Sequence, residues 1–166
     1  MFKKYLLPDY FFDNIYEIKP EFLCSLGIRA IISDIDNTLV TYDDPEPTDS
    51  VLEWIKLLSE AGIALSFVSN NNAARVKKFN LKLGFYASPN SGKPSARAYK
   101  KAAEAMGAAI HECAVVGDQI FTDIIAAKRL GMTACIVKPI KDKLTPLFFL
   151  KRGLERFIYK IYKIKY

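Results

Sequence analysis

The chain alternates short apolar runs with longer segments of mixed character. The runs lie near 28–33, 63–68, 114–117 and 133–137, and they lack the polar alternation of a half-exposed strand. Runs of that kind suit strands buried on both faces, as in parallel sheets covered by helices. The intervals read as helices over about 48–61, 73–83, 95–106 and 123–130. Each is followed by a glycine (Gly62, Gly84, Gly107 or Gly131), the residue most common just past a helix end. Phe85-Tyr86-Ala87-Ser88 adds a short fifth strand. The expected architecture is α/β, a single Rossmann-like domain around a central parallel sheet, with ligands beyond the carboxyl ends of the strands.

Polar residues gather at those ends. Asp34-Ile35-Asp36-Asn37-Thr38-Leu39 follows the first run. Two carboxylates about 4 Å apart repel by roughly 4 kcal/mol at an effective dielectric of about 20, so the pair is destabilising until a cation or a proton intervenes. A divalent metal and a phosphate are the natural candidates; an ordinary acid pair capping the next helix is the alternative. Ser69-Asn70-Asn71-Asn72 closes the second run and precedes a helix, offering a hydroxyl and free backbone N–H groups to a phosphate. Asn is also a routine helix cap. Lys93-Pro94 follows Ser88-Pro89-Asn90-Ser91-Gly92, and a solvated surface lysine is its default reading. In Gly117-Asp118-Gln119-Ile120-Phe121-Thr122-Asp123, two acids five apart across a strand-to-helix loop suit a hard cation held by oxygen, with Mg²⁺ expected. Asp123 equally fits the N-cap of its helix, which is compatible with a weaker metal role.

In order, Asp-x-Asp-Asn-Thr-Leu, Ser-Asn-Asn, Lys-Pro and Gly-Asp-Gln-x-x-Thr-Asp resemble the four motifs of the haloacid dehalogenase superfamily of phosphatases, over about residues 29–137. The leader Leu7-Pro8-Asp9, the Asp-Asn-Thr-Leu-Val form of the first motif and the short spacings look like the YqeG group of subclass IIIA phosphatases. That group is similar to the mitochondrial phosphatidylglycerophosphate phosphatases. The resemblance implies a Mg²⁺-dependent phosphomonoesterase. Asp34 would attack phosphorus to form an aspartyl-phosphate, and Asp36 would protonate the leaving alkoxide and later activate water. It also implies phosphate contacts from Thr38, Ser69 and the backbone around Asn70, with Lys93 neutralising nucleophile and phosphoryl group. Mg²⁺ would be held by the Asp34 side chain, the Asp36 backbone carbonyl and Asp118, with Asp123 mainly behind them. The intervals 36–69 and 71–93 leave no room for a cap domain, which in this superfamily implies a bulky or surface-bound substrate, or a cap borrowed from a partner. A soluble phosphatase of a small phosphorylated metabolite or nucleotide stays open. So does a non-enzymatic phospho-receiver, against which Asp36 argues, since a receiver needs no general acid there.

Composition agrees: 166 residues, 51% hydrophobic and 25% charged, suffice to bury the core of one soluble domain. Cys24, Cys113 and Cys135 are odd in number and scattered, which suggests neither a disulfide framework nor a zinc site and fits a reducing cytoplasm. His111 is the sole histidine, arguing against a Ser-His-Asp hydrolase and against His-based metal clusters. No apolar run reaches 18 residues, and Pro8 and Asp9 interrupt the N-terminal segment, so neither a membrane span nor a clear secretion signal is expected.

Charge adds one more element. Residues 138–166 carry +7 and residues 1–137 carry −1. We therefore divide the chain into a phosphatase domain over 1–143 and a basic amphipathic helix over 144–166, with Thr145 as cap and Pro146 as first helical residue. Leu147, Leu150, Leu154, Phe157, Ile158, Ile161 and Ile164 fall on one face, with Arg152, Arg156, Lys160 and Lys163 opposite and aromatics at Phe157, Tyr159, Tyr162 and Tyr166. Such a helix reads as an anchor on an anionic membrane surface, which suits a phospholipid head group as the phosphorylated substrate and a peripheral place on the cytoplasmic face. Docking on its own domain or homo-oligomerisation are the alternatives. Nucleic acid is disfavoured, because the basic residues accompany a greasy face. Tyr5, Leu6, Leu7, Tyr10, Phe11 and Phe12 form a second patch that could meet the tail, the sheet or lipid.

Overall fold

The computed structural model describes residues 3–141 and 146–162, with side chains for 4–141 and 153–162. The expected cap at Thr145, the side chains of Leu147, Leu150 and Arg152, and the positions Lys163, Ile164 and Tyr166 lie outside that description.

Six parallel strands form one open sheet: β1 (Tyr10–Phe12), β2 (Ala30–Ser33), β3 (Ala64–Val68), β4 (Ala87–Ser88), β5 (Cys113–Gly117) and β6 (Thr133–Val137). Their spatial order is β1-β6-β5-β2-β3-β4. The expected runs all became strands, and the reason is visible in their alternation. Ile31, Leu65, Phe67, Ala114, Val116, Cys135 and Val137 point into one buried layer. Ala30, Ile32, Val68, Cys113, Val115, Ala134 and Ile136 point into the other. With both faces covered, an unbroken apolar run costs nothing in exposed surface. β1 is an addition to the expected set. Phe11 faces the second layer and meets Tyr159 edge-to-face at 5.7 Å, while Tyr10 and Phe12 pack against Phe22 in the first.

The helices are α1 (Lys3–Leu6), α2 (Pro20–Ser25), α3 (Asp49–Glu60), α4 (Ala73–Asn80), α5 (Ala96–Ala105), α6 (Ile125–Leu130) and α7 (Pro146–Ile161). Thr48, Asn72 and Ser95 cap α3, α4 and α5 through their side chains. α4 stops three residues short of the expected Leu83, because the Asn80 amide turns back onto Phe85, donating to its carbonyl at 2.6 Å and accepting from its N–H at 3.2 Å. The helix expected from Asp123 is instead a π-helical turn, Ile120–Ile124, running into α6. At the far end Gly131 takes φ 79°, a left-handed conformation glycine adopts without a Cβ clash.

α7 departs from the single stripe the periodicity suggested. Its docked face is Glu155 (2% exposed) and Tyr159 (4%), with Ile158 partly buried beside them. Leu154, Phe157 and Ile161 point away, 47, 61 and 55% exposed.

Candidate active site

The polar clusters meet at the carboxyl ends of β5, β2 and β3, the middle of the sheet. After β2 the chain makes a tight loop in which Asn37 takes φ 73°, a left-handed conformation asparagine tolerates better than most residues. Asn37 then serves as a strut. Its N–H donates to the Val40 carbonyl at 2.6 Å, its side-chain oxygen accepts from the Lys141 N–H at 2.8 Å, and its amide nitrogen lies 3.4 Å from Asp118 Oδ2. Thr38 Oγ1 stands 3.4 Å from the other Asp118 oxygen.

Asp34, Asp118 and Asp123 are buried, and one ligand oxygen from each lies within 4.8 Å of the others. Lys93 is not the solvated lysine of the default reading. Its side chain is buried and its Nζ sits 2.8 Å from both Asp34 Oδ1 and Asp123 Oδ1. Burial works against the Lys93 ammonium, but Asp123 and Asp34 outweigh it and push its pKa up. Burial drives the Asp34 carboxyl up to about 7; Lys93 pulls it down, while Asp123 and Asp118 push it up again. Among the described residues, three buried acids lie around Lys93. An all-carboxylate oxygen set is the kind hard cations take. The residues therefore fit a divalent metal.

Asp123 does not cap a helix. Its Oδ1 accepts from Lys93 Nζ and from the Tyr99 hydroxyl at 3.1 Å, and its Oδ2 accepts from Thr122 Oγ1 at 2.9 Å. Burial, then Asp123 and Asp34, raise the Tyr99 phenol well above its ordinary range. The close approach of Asp123 depends on Gly117, where an added Cβ would come within 2.4 Å of Asp123 Cγ.

Asp36 belongs to a second constellation. Arg75 Nε and Nη2 reach its Oδ1 at 3.0 and 2.9 Å, and Asn71 Nδ2 donates to its Oδ2 at 2.9 Å. The same guanidinium donates to the carbonyls of Pro45 and Thr41. Ser69 is buried and its Oγ accepts from the Asn71 N–H at 3.0 Å. Asn70 acts through its side chain, whose oxygen accepts from the Lys93 N–H at 2.7 Å and the Ser91 hydroxyl at 3.1 Å, fixing the loop that delivers Lys93.

The structure thus groups Asp34, Lys93, Asp118 and Asp123, with Thr38 beside Asp118, while Asp36 and Ser69 are linked through Asn71 and Asn70 braces the loop of Lys93. Sequence reading missed Arg75 and Tyr99. Both lie inside helices with no local mark beyond their chemistry, although a buried-facing arginine one turn into the helix after Asn72 is the position from which a helix reaches a strand mouth. Among the described residues the two intervals where a cap could insert hold only α3, β3, α4 and β4 with their connecting loops.

An open parallel sheet with three buried acids and a buried lysine grouped at the carboxyl ends of its central strands is an α/β architecture built around one compact charged site. The chain belongs to the haloacid dehalogenase-like hydrolases, whose family model matches residues 11–131. It is 38% identical over 165 residues to the probable phosphatase YqeG of Bacillus subtilis (strain 168), covering 99% of this chain and 96% of that protein. In fold it resembles an uncharacterized protein from Listeria monocytogenes serotype 4b, with TM-score 0.56 and 18% identity over 72% of this chain and 85% of that one. It also resembles a putative HAD superfamily (subfamily III A) hydrolase from Legionella pneumophila, with TM-score 0.51 and 19% identity over 82% and 78% of the two chains.

Proposed function

We propose that the protein is a Mg²⁺-dependent phosphomonoesterase working through an aspartyl-phosphate on Asp34. The observation that carries this reading is the buried set Asp34, Lys93, Asp118 and Asp123 beside an independently held Asp36. An Asp34 carboxylate oxygen attacks phosphorus and the bond to the ester oxygen breaks. Asp36 gives its proton to the departing alkoxide. Water then attacks the phosphorus of the aspartyl-phosphate, Asp36 takes the water's proton, and cleavage of the bond to Asp34 restores the carboxylate. Lys93 stays against Asp34 and offers positive charge to the phosphoryl oxygens, as Thr38, Ser69 and the backbone by Asn70 offer hydrogen bonds. Asp34, Asp118 and the Asp36 carbonyl would hold Mg²⁺, with Asp123 bracing Lys93; the ion supplies electrostatic stabilisation to the phosphoryl group.

For the substrate we infer a phospholipid head group, phosphatidylglycerophosphate, met at an anionic bilayer on the cytoplasmic face. Supporting this are the uncapped mouth and the outward stripe of Leu154, Phe157 and Ile161, flanked by exposed Arg156 and Lys160. No helix among the described residues is long and apolar enough to cross a membrane, so contact would be peripheral. The test is phosphate release from phosphatidylglycerophosphate in mixed micelles and from a soluble aryl phosphate, with Mg²⁺ or EDTA. Asp34→Asn should be folded and inactive on both. Metal-dependent turnover by that variant would remove the mechanism, and hydrolysis of the soluble ester alone would leave a small phosphorylated metabolite as the substrate.

A further inference from the structure

The C-terminal helix reaches the metal-binding loop through one buried carboxylate. Glu155 Oε1 accepts a hydrogen bond from the Ile120 N–H at 2.8 Å, and Glu155 is 2% exposed. Ile120 opens the π-helical turn that carries Asp123, and it follows Asp118 by two residues. Its N–H is one of the donors that the first turn of any helix leaves without an internal partner. One turn further along α7, Tyr159 joins Ile120 and Ile124 in the same buried cluster. The helix therefore meets this turn in two ways, by a carboxylate on the Ile120 N–H and by Tyr159 within the same buried cluster.

We propose that Glu155 is a positioning residue for the metal site, making α7 part of the catalytic unit. The inference rests on the functional reading above, because it needs a divalent cation on Asp118. If α7 were only to be docked, an apolar side chain at position 155 would serve at lower cost than a buried carboxylate. The carboxylate bonds the loop at Ile120, between two other acids, Asp118 and Asp123. What it provides is a charge-assisted bond that fixes the backbone between those acids. Groups that hold metal ligands in place typically change metal affinity by 10- to 100-fold when removed.

The experiment compares Glu155→Met, Glu155→Gln and Glu155→Asp with wild type in the full chain. Two quantities are read: the Mg²⁺ concentration giving half-maximal hydrolysis of a soluble aryl phosphate, and the Mg²⁺ concentration giving half the maximal rise in Tm, which needs no turnover. Glu155→Met, without an acceptor, should raise both by about tenfold while leaving KM for the ester nearly unchanged. Glu155→Gln keeps an oxygen for Ile120 and should restore most of the affinity. Glu155→Asp keeps the charge but falls short by a methylene and should resemble Met. Tyr159→Leu loosens the same helix without touching the bond and should lower Tm with little change in Mg²⁺ demand. Unchanged Mg²⁺ demand in Met and Asp overturns the proposal, as does an equal rise in Tyr159→Leu. If Met does not fold, Asp and Gln decide the matter by themselves. A wild-type Tm that no divalent ion moves sinks the functional reading together with this one, whereas a wild-type response shared by every Glu155 variant sinks this one alone.

Discussion

Replacing Arg75 by alanine tests whether the Asp36 carboxyl is held for its task or only happens to be paired. The change removes both guanidinium contacts to Asp36 Oδ1, at 3.0 and 2.9 Å, and leaves the Asn71 amide on the other oxygen. It also releases the carbonyls of Thr41 and Pro45, which the same guanidinium ties to α4. Breaking a fully buried ion pair from one side costs roughly 3–5 kcal/mol. Here the Arg75 side chain is 13% exposed at an open mouth, so water replaces part of what is lost and about 2–3 kcal/mol is the expected cost. For a chain of this length that lowers Tm by about 5–10 °C. Activity should fall selectively. A misplaced general acid costs on the order of 100-fold where the leaving group must be protonated, as in an alkyl phosphate. A nitrophenyl ester needs little protonation and should lose only about tenfold or less. Arg75→Lys keeps the charge but not the two-nitrogen grip and should fall between. The assay is Tm by scanning calorimetry with kcat on an alkyl and an aryl phosphate. Equal slowing of the two esters would refute the argument, as would a lower Tm with both rates intact.

Three further expectations follow from the same geometry. In EDTA, the folded chain keeps the Asp34 proton up to about pH 7 whereas the unfolded chain sheds it near 3.8, so metal-free stability should fall as pH rises across that window, by about 4 kcal/mol at most. Asp34→Asn should lack this slope in denaturant titrations, and a parallel pH dependence in the two proteins would disprove it. Gly117→Ala forces Asp123 away from Lys93 and Tyr99 and should cost about 1–3 kcal/mol and most activity, whereas Gly153→Ala, with nothing within 4 Å of the new Cβ, should gain about 0.5–1 kcal/mol; urea midpoints that fail to differ in sign would count against this. Changing Leu154, Phe157 and Ile161 together to serine should abolish co-sedimentation with anionic vesicles and spare soluble-ester hydrolysis. Cutting after Lys143 should damage both, because it also removes Glu155 and Tyr159.

The central strands were legible because burial on both faces leaves nothing but apolar residues, and the motifs because each stands where such a strand ends. What escaped is what depends on distant partners. Tyr10-Phe11-Phe12 is too short, and too close to Pro8 and Asp9, to announce a strand; it exists because β6 offers an edge to pair with. Arg75 meets Asp36 across 39 positions and Tyr99 meets Asp123 across 24, separations to which no local pattern is sensitive. In α7 the periodicity found an apolar stripe, but three of its members face outward, while the docked face includes the one acid of the helix. That acid, Glu155, makes an internal contact to the Ile120 N–H.

The brevity of the outer strands bears on how the molecule behaves in company. An open sheet has two unpaired margins, and margins are where foreign strands add and aggregates begin. One margin here is β1, three residues long; the other is β4, two residues long and followed at once by Pro89. Neither offers enough free backbone to seed a ladder. Copies crowded together can therefore stay separate, without their sheets fusing.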